Sequence, residues 1–168
     1  MSSYYFAIIG TRDNPLYEVE FSSFKNATST LTPSSSSSLV GTSPINNSGG
    51  AHIPGRSQFT PPTKEILPFI AHSSLDLIED QMWSSQALNL GKIDQFYGIS
   101  ISAYLTQGNI KFILCYDSSK EENTIKQFFQ DVNDLYVKTL MNPFYNVNDA
   151  IISPDFDYKI KLVAKKYL

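Results

Sequence analysis

The segment from Pro68 to Trp83 constrains the fold most, because as a helix it carries large side chains on two opposite faces. At about 100° per residue, apolar side chains form one broad stripe that predicts a core-facing side, made of Ile70, Ala71, Leu75, Leu77, Ile78 and Met82. The other face places an aromatic residue at each end of an acidic strip: Phe69, His72, Asp76, Asp80 and Trp83. We predict that the first face packs on the core and that the second binds a partner.

Two interpretations of this outer face stay open from the sequence. In the first, Phe69 and Trp83 cap the two ends of the helix against neighbouring loops of the same chain, and the acids between them are solvated. In the second, both aromatic residues anchor a protein partner, because aromatic side chains with polar neighbours are enriched in interfaces. The second interpretation predicts five partner-binding residues, namely Phe69, His72, Asp76, Asp80 and Trp83.

Composition and charge exclude several classes of function. The net charge is −3 and the pI about 5.3, so the chain has no general basic field with which to hold nucleic acid. The apolar run from Tyr4 to Ile9 is too short for a signal sequence or a membrane span, and no other stretch approaches the required length. We therefore expect a soluble cytoplasmic protein. The single cysteine, Cys115, excludes an intrachain disulfide and is predicted to be a small buried side chain.

The sequence offers no catalytic, cofactor or metal site. His72 and Asp76 are four residues apart on one helix face and could supply two metal ligands, but no third ligand of matching type can be named. The glycines do not form a phosphate-binding loop, and the serines beside His72 lack a strand-to-helix elbow. The basic end of the last helix is interpreted either as a solvated face or as a peripheral contact with anionic lipid, through Lys159, Lys161, Lys165 and Lys166.

Hydrophobic periodicity predicts eight elements in the order ββαβββαα, which is an α+β fold. After a first strand from Tyr4 to Ile9 and a second with Tyr17, Val19 and Phe21 alternating, the two-faced helix follows, with Pro68 in its first turn. The remaining predicted elements are strands at 93–97, 99–105 and 111–116 and helices at about 121–141 and 155–167, the last capped by Ser153.

These elements predict a five-stranded, mainly antiparallel sheet with one helix on one face and two on the other. The first and fifth strands are apolar throughout, so we place them in the middle of the sheet, and the alternating strands at its edges. Between Ser22 and about Pro62 the composition changes to Ser, Thr, Asn, Gly and Pro, including a serine run at 34–38. We predict a single domain over residues 1–168 with a disordered insertion at about 22–62.

Five segments in this order resemble the sedlin family, whose members are small subunits of the TRAPP vesicle-tethering complex. They are Tyr5 to Gly10, Asp13-Asn14-Pro15, Phe69 to Leu77, Lys138 to Tyr145 and Ser153 to Asp157. The resemblance implies a longin-like (profilin-like) fold and a non-catalytic adaptor. It would link a core that activates a Rab GTPase to larger subunits in ER-to-Golgi, Golgi and autophagic traffic, at the surface of ER and Golgi membranes. The family position that joins those larger subunits matches Asp76.

Two other functions stay as alternatives. One is a free-standing longin-type regulatory domain that binds a SNARE segment, although we expect such a domain to precede a coiled-coil heptad region, and the chain ends at Leu168 without one. The other is a small hydrolase or thiol enzyme that uses His72 or Cys115, for which the sequence shows no catalytic constellation.

Overall fold

The architecture follows the predicted order of elements. A computed structural model of the chain describes residues 2–23, 59–117 and 119–168. Its elements are β1 (Ser3–Ile9), β2 (Pro15–Ser22), α1 (Pro61–Ser84), β3 (Asn89–Phe96), β4 (Ile99–Leu105), β5 (Lys111–Tyr116), α2 (Glu122–Leu140) and α3 (Pro154–Tyr167). The α+β class and the order ββαβββαα are confirmed, and the arrangement is consistent with a longin-like fold.

The five strands form one antiparallel sheet in the order β2-β1-β5-β4-β3. Every residue of β1 and β5 is buried, which confirms that these two apolar strands lie inside the sheet. The prediction that the alternating β4 lies at an edge is wrong, since β4 is internal and buried throughout, and β3 is the edge. A contact between strands allows this: the Ser102 hydroxyl lies 3.1 Å from the Tyr116 hydroxyl of β5, so a polar strand position is satisfied without water.

The two sheet faces are covered as predicted, one by α1 and the other by α2 and α3. Under α1 the core contains the inward side chains of three strands, among them Ala7, Ile101, Ala103, Ile113 and Cys115. On the opposite face the core is largely aromatic, with Phe6, Phe112, Phe128, Phe129 and Tyr136 among its buried members. The sheet therefore separates two cores, and each helical layer keeps one side in contact with solvent.

Helix α1 differs from the prediction at its start and in the width of its buried stripe. It begins at Pro61, and Pro68 lies in its interior. Pro61 and Pro62 occupy the first turn, where the missing N–H groups have no intrahelical partner, so the helix tolerates them there. Leu77 and Met82 were predicted to be buried, but Leu77 is exposed and Met82 is only partly buried. Ser74, which was not predicted, is buried and donates a hydrogen bond to the Ala71 carbonyl. The stripe is narrower than periodicity suggested, and consists of Leu67, Ile70, Ala71, Ser74, Leu75 and Ile78.

The remaining boundaries agree with the sequence to within a few residues. Helices α2 and α3 are confirmed, and the Ser153 side chain accepts a hydrogen bond from the Phe156 N–H at 3.4 Å, as a cap does. Strand β3 begins earlier than predicted, at Asn89, because Gly91 with its φ of 66° interrupts the apolar pattern but not the strand. No helix in the described ranges is both long enough and apolar enough to cross a bilayer.

Most of the predicted insertion, residues 24–58, lies outside the described residues, so its disorder stays a prediction. Its two ends are described. Ser22 belongs to β2, and Phe59 is buried in the core under α1, just before that helix begins.

Candidate functional site

The outer face of α1 is the candidate site, and the inner stripe of the helix fixes its orientation. Because Leu67, Ile70 and Ile78 are buried against the sheet, the residues on the opposite side of the helix must point outward. Phe69 is 75% exposed and Trp83 is 85% exposed. Such exposure is not what capping against loops of the same chain predicts, so it argues against that interpretation. The three polar candidates between them, His72, Asp76 and Asp80, are exposed as well.

An apolar groove of about 570 Å³ runs between the N-terminal half of α1 and the end of β3. Two of the predicted residues, Phe69 and His72, line it, and Asp76, Asp80 and Trp83 continue along the same helix face beyond it. The complete lining is Ile66, Phe69, Ile70, His72, Ser73, Asp94, Phe96, Tyr97 and Ile101. The structure thus extends the predicted surface from a single helix to a helix and the neighbouring strand.

Sequence reasoning missed Phe96 and Tyr97, which the β3–β4 turn brings to the groove. Their rings meet edge to face at 4.5 Å, and Tyr97 is 86% exposed. Tyr97 and Gly98 have φ angles of 48° and 80°, the pattern of a two-residue hairpin turn with both central residues left-handed. A left-handed conformation is uncommon for a bulky residue, and here the hairpin turn imposes it on Tyr97. The available signal in the sequence was an aromatic residue, Tyr97, directly before the turn glycine Gly98.

A second groove adjoins the first on the N-terminal side of α1. It has a volume of about 650 Å³ and shares Ile66 and Tyr97 with the first groove. Its floor includes Phe59 and Ile99, which are buried. The two grooves together form one apolar surface along the N-terminal half of α1, and Tyr97 lines both of them.

The outer face of α1 is acidic. From Glu65 to Ser84 the helix contains Glu65, Asp76, Glu79 and Asp80 and no lysine or arginine. Lys64, just before this stretch, is bound to Glu20 of β2 at 3.1 Å. Within the described residues Asp76, Glu79 and Asp80 form no ion pair. The surface therefore presents uncompensated negative charge beside exposed aromatic rings.

The other chemistry considered from the sequence is not brought together by the fold. In the described ranges no three His, Cys, Asp or Glu side chains approach closely enough to hold a metal ion, so His72 and Asp76 have no further ligand there. Cys115 is completely buried, as predicted, and burial raises the pKa of its thiol to about 12. A thiolate is the nucleophilic form of cysteine, and burial disfavours it. Cys115 therefore lacks the environment of a catalytic nucleophile.

The basic residues of α3 are largely occupied within the chain. Lys159 binds Asp155 and Lys161 binds Asp157, each across one helical turn. Lys166 binds Asp131 of α2 at 3.1 Å. Of the four lysines considered for lipid contact, three are thus paired with carboxylates, which favours their interpretation as a solvated, internally balanced face.

A further group of exposed apolar side chains lies after α2. Met141, Phe144, Val147 and Ile152 are all exposed there. Asp149 is the single charged residue between Thr139 and Ser153. This segment lacks the acidic strip of α1, so only the α1 surface of the two combines exposed aromatic side chains with a run of negative charge.

Comparison with known proteins identifies the family of this chain. The family model named Sedlin matches residues 8–166. This protein belongs to the sedlin family. Its relatives include trafficking protein particle complex subunit 20 of Saccharomyces cerevisiae, with 34% identity over 98% of this chain and 97% of the relative. The 20 kDa transport protein particle subunit of Schizosaccharomyces pombe is 37% identical over 98% of each chain. A probable trafficking protein particle complex subunit 2 of Drosophila melanogaster is 33% identical over 100% of this chain and 99% of its own.

Sedlin membership accounts for the resemblance noted in the sequence. The matched range contains the five candidate residues on α1 and also Phe96 and Tyr97, which line the groove. The alignments cover 97–99% of these three relatives.

Proposed function

We propose that this sedlin-family protein is a non-catalytic adaptor subunit of a TRAPP complex, and that it joins larger subunits through the outer face of α1. The names of its relatives, which are subunits of trafficking protein particle complexes, support the assignment to such an assembly. The single observation that carries the binding surface is a helix with 75% and 85% exposed aromatic residues at the two ends of an acidic strip that forms no ion pair within the described residues.

The proposal includes a place in the cell. As part of a complex that activates a Rab GTPase, the protein acts indirectly on that GTPase and peripherally at ER and Golgi membranes, in ER-to-Golgi, Golgi and autophagic vesicle traffic. It makes no contact with nucleic acid. Its contribution is geometric: a rigid sheet holds α1 by its buried stripe, and the outer face is left for other subunits.

The test is Asp76→Tyr in a tagged protein, followed by recovery of the complex from cells. Asp76 lies on the exposed side of α1, so the fold should survive, with an unchanged urea midpoint. Loss of a charged interface contact costs about 2–5 kcal/mol, so recovery of the other subunits should fall at least tenfold. The matched control is Asp134→Tyr, an exposed aspartate on α2 in the other helical layer, which should leave recovery unchanged.

Other outcomes would change the proposal in defined ways. Full recovery with Asp76→Tyr would remove Asp76 from the interface, and a urea midpoint as low as that of a core variant would make it a folding residue. Recovery of a lone SNARE protein in place of a complex of many subunits would favour the regulatory longin domain instead.

A further inference from the structure

We infer that the partner element seated on the α1 surface is a basic amphipathic helix, with one large apolar side chain in the groove beside Phe69 and lysines or arginines along Asp76 and Asp80. This inference rests on the proposed function, because it names the chemistry of the partner at that same surface. It goes further in excluding an acidic segment and an added β-strand.

The charges around the groove define the sign of the partner. Between Glu65 and Asp94 the chain has five acidic residues, namely Glu65, Asp76, Glu79, Asp80 and Asp94, and one lysine, Lys92. The Lys92 ammonium donates to the Gln95 side chain at 2.9 Å and leaves the helix face uncompensated. Charge complementarity governs which partner is accepted, since like charges placed opposite each other are strongly disfavoured. An acidic partner would face such repulsion along the whole strip.

The spacing of the surface fits a helix. Phe69 and Trp83 are fourteen residues apart, which corresponds to about 21 Å along the axis of α1. A partner helix of similar length, lying along α1, would reach both aromatic residues and pass Asp76 and Asp80 between them. The groove near Phe69 has a floor of buried side chains, Ile70 and Ile101, and its volume of about 570 Å³ admits a large apolar side chain. Helix-in-groove recognition combines these features: an apolar anchor and a polar flank.

Strand addition at this place is disfavoured by the edge itself. Strand β3 is the edge strand beside the groove, but its pairing with β4 shifts register between Asn89 and Gly91 and again between Lys92 and Asp94. Bulges of this kind and exposed charges on an edge interrupt the row of free N–H and C=O groups that an incoming strand needs. The partner therefore binds to side chains of α1 and the β3–β4 turn, and not to the backbone of β3.

The first experiment identifies the bound segment directly. The photo-cross-linking amino acid benzoylphenylalanine replaces Ser73, an exposed groove residue, in the tagged full chain, and the cross-linked peptide from the purified complex is sequenced by mass spectrometry. We expect one segment with several lysines or arginines on one side and apolar residues at helical spacing on the other. Capture of an acidic segment, or of one with the alternation of a strand, overturns the inference. The same probe at Tyr158 of α3 should not capture that segment.

The second experiment tests charge. The variant Asp76→Lys with Asp80→Lys is compared with Glu121→Lys and Asp134→Lys, which makes the same change of net charge on exposed positions at α2. We expect recovery of the complex to fall at least tenfold for the first and to stay unchanged for the second, with unfolding midpoints equal to that of the unmodified chain. Glutamate in place of the basic residues of the captured segment should restore binding to the first variant. A milder pair, Asp76→Asn with Asp80→Asn, provides the test if the lysine variant fails to fold.

The two proposals fail in different ways. If Phe69→Ala abolishes recovery while charge reversal leaves it intact, the α1 surface binds the complex but the partner is not basic. If neither substitution affects recovery, the α1 surface is not the binding surface, and the proposed function fails at this site as well.

Discussion

On α3, Asp155 and Asp157 are each bound by a lysine one turn further along the helix, whereas Asp76 and Asp80 of α1 have no such partner among the described residues. Both helices are amphipathic and both pack on the same sheet. Their difference therefore lies in the outer faces: one is balanced within the chain, and the other is left negative. This contrast supports the proposal that the α1 layer is the one that binds a partner.

The two layers also differ in where their aromatic side chains lie. In the two-helix layer most of them lie inside, where the Phe6 and Phe128 rings meet edge to face at 5.4 Å and the Tyr104 and Phe112 rings stack at 5.7 Å. Tyr158 of α3 and Phe144 after α2 are exposed. In the α1 layer the large rings of Phe69, Trp83 and Tyr97 lie outside. Aromatic side chains of the α2–α3 layer therefore stabilise the fold, whereas three large aromatic side chains of the α1 layer are exposed to solvent.

The largest effect on folding is expected from Phe128→Ala. Phe128 of α2 is completely buried against the sheet, so truncation removes its contacts and leaves a cavity. We expect a loss of about 3–5 kcal/mol in the free energy of unfolding, as for other buried phenylalanines, measured by urea denaturation. A loss below about 1 kcal/mol would contradict the claim that the aromatic residues of the two-helix layer stabilise the fold.

A smaller effect is expected from Tyr17→Phe, which removes a link between β2 and α3. The Tyr17 hydroxyl donates to the Asp157 carboxylate at 2.7 Å. Burial of that carboxyl alone would raise its pKa, but the hydrogen bonds from Lys161 and Tyr17 and the Lys161 charge outweigh burial and lower the pKa. At neutral pH the substitution should cost roughly 1–2 kcal/mol, the range for a hydrogen bond to a charged group with allowance for partial exposure.

The pH dependence of this cost has a definite sign. A carboxyl whose pKa is lowered by folding adds stability above its ordinary pKa of 3.8, and that contribution is lost as the pH falls through the folded value. Urea midpoints of the unmodified chain and of Tyr17→Phe should therefore converge as the pH is lowered from 7 towards 3. A difference that is constant over this range would mean that the hydroxyl contributes by packing alone.

The smallest effect is expected from Lys159→Gln, which breaks one of the exposed pairs on α3. Exposed pairs across one helical turn contribute about 0.3–0.5 kcal/mol, so the urea midpoint should hardly move. Recovery of the complex should also be unchanged. Loss of recovery at unchanged stability would show that α3 is a binding surface too. The outer faces of α1 and α3 would then differ in the kind of partner they bind.

The sequence predicted those parts of the fold that depend on local patterns. Periodicity gave the element order, and the apolar composition of β1 and β5 placed them inside the sheet. It could not predict the burial of β4, because that depends on Ser102 meeting Tyr116 from a neighbouring strand. The start of α1 was missed because a proline inside a helix, such as Pro68, is normally disfavoured. Here the helix continues through Pro68, with buried residues on both sides of it, Leu67 and Ile70.

The candidate site was predicted for one helix and missed for its neighbour. Phe69, Asp76 and Trp83 share a face through helical spacing alone, which a sequence displays directly. Phe96 and Tyr97 join them because α1 packs beside β3 and because a left-handed turn directs Tyr97 outward. This proximity arises from tertiary structure, so the periodicity of the sequence does not predict it.

The most direct test of the central claim is the double variant Phe69→Ala with Trp83→Ala, compared with Tyr158→Ala, an aromatic residue of α3 that is 62% exposed. Unfolding by urea and recovery of the complex are measured on the same preparations. We predict that the double variant unfolds within about 1 kcal/mol of the unmodified chain, since exposed substitutions change stability little. Its binding should weaken by roughly 2 kcal/mol or more for each aromatic anchor, and Tyr158→Ala should change neither quantity. Unfolding losses of about 3–5 kcal/mol, the size for buried aromatic side chains, or full recovery of the complex, would contradict the account.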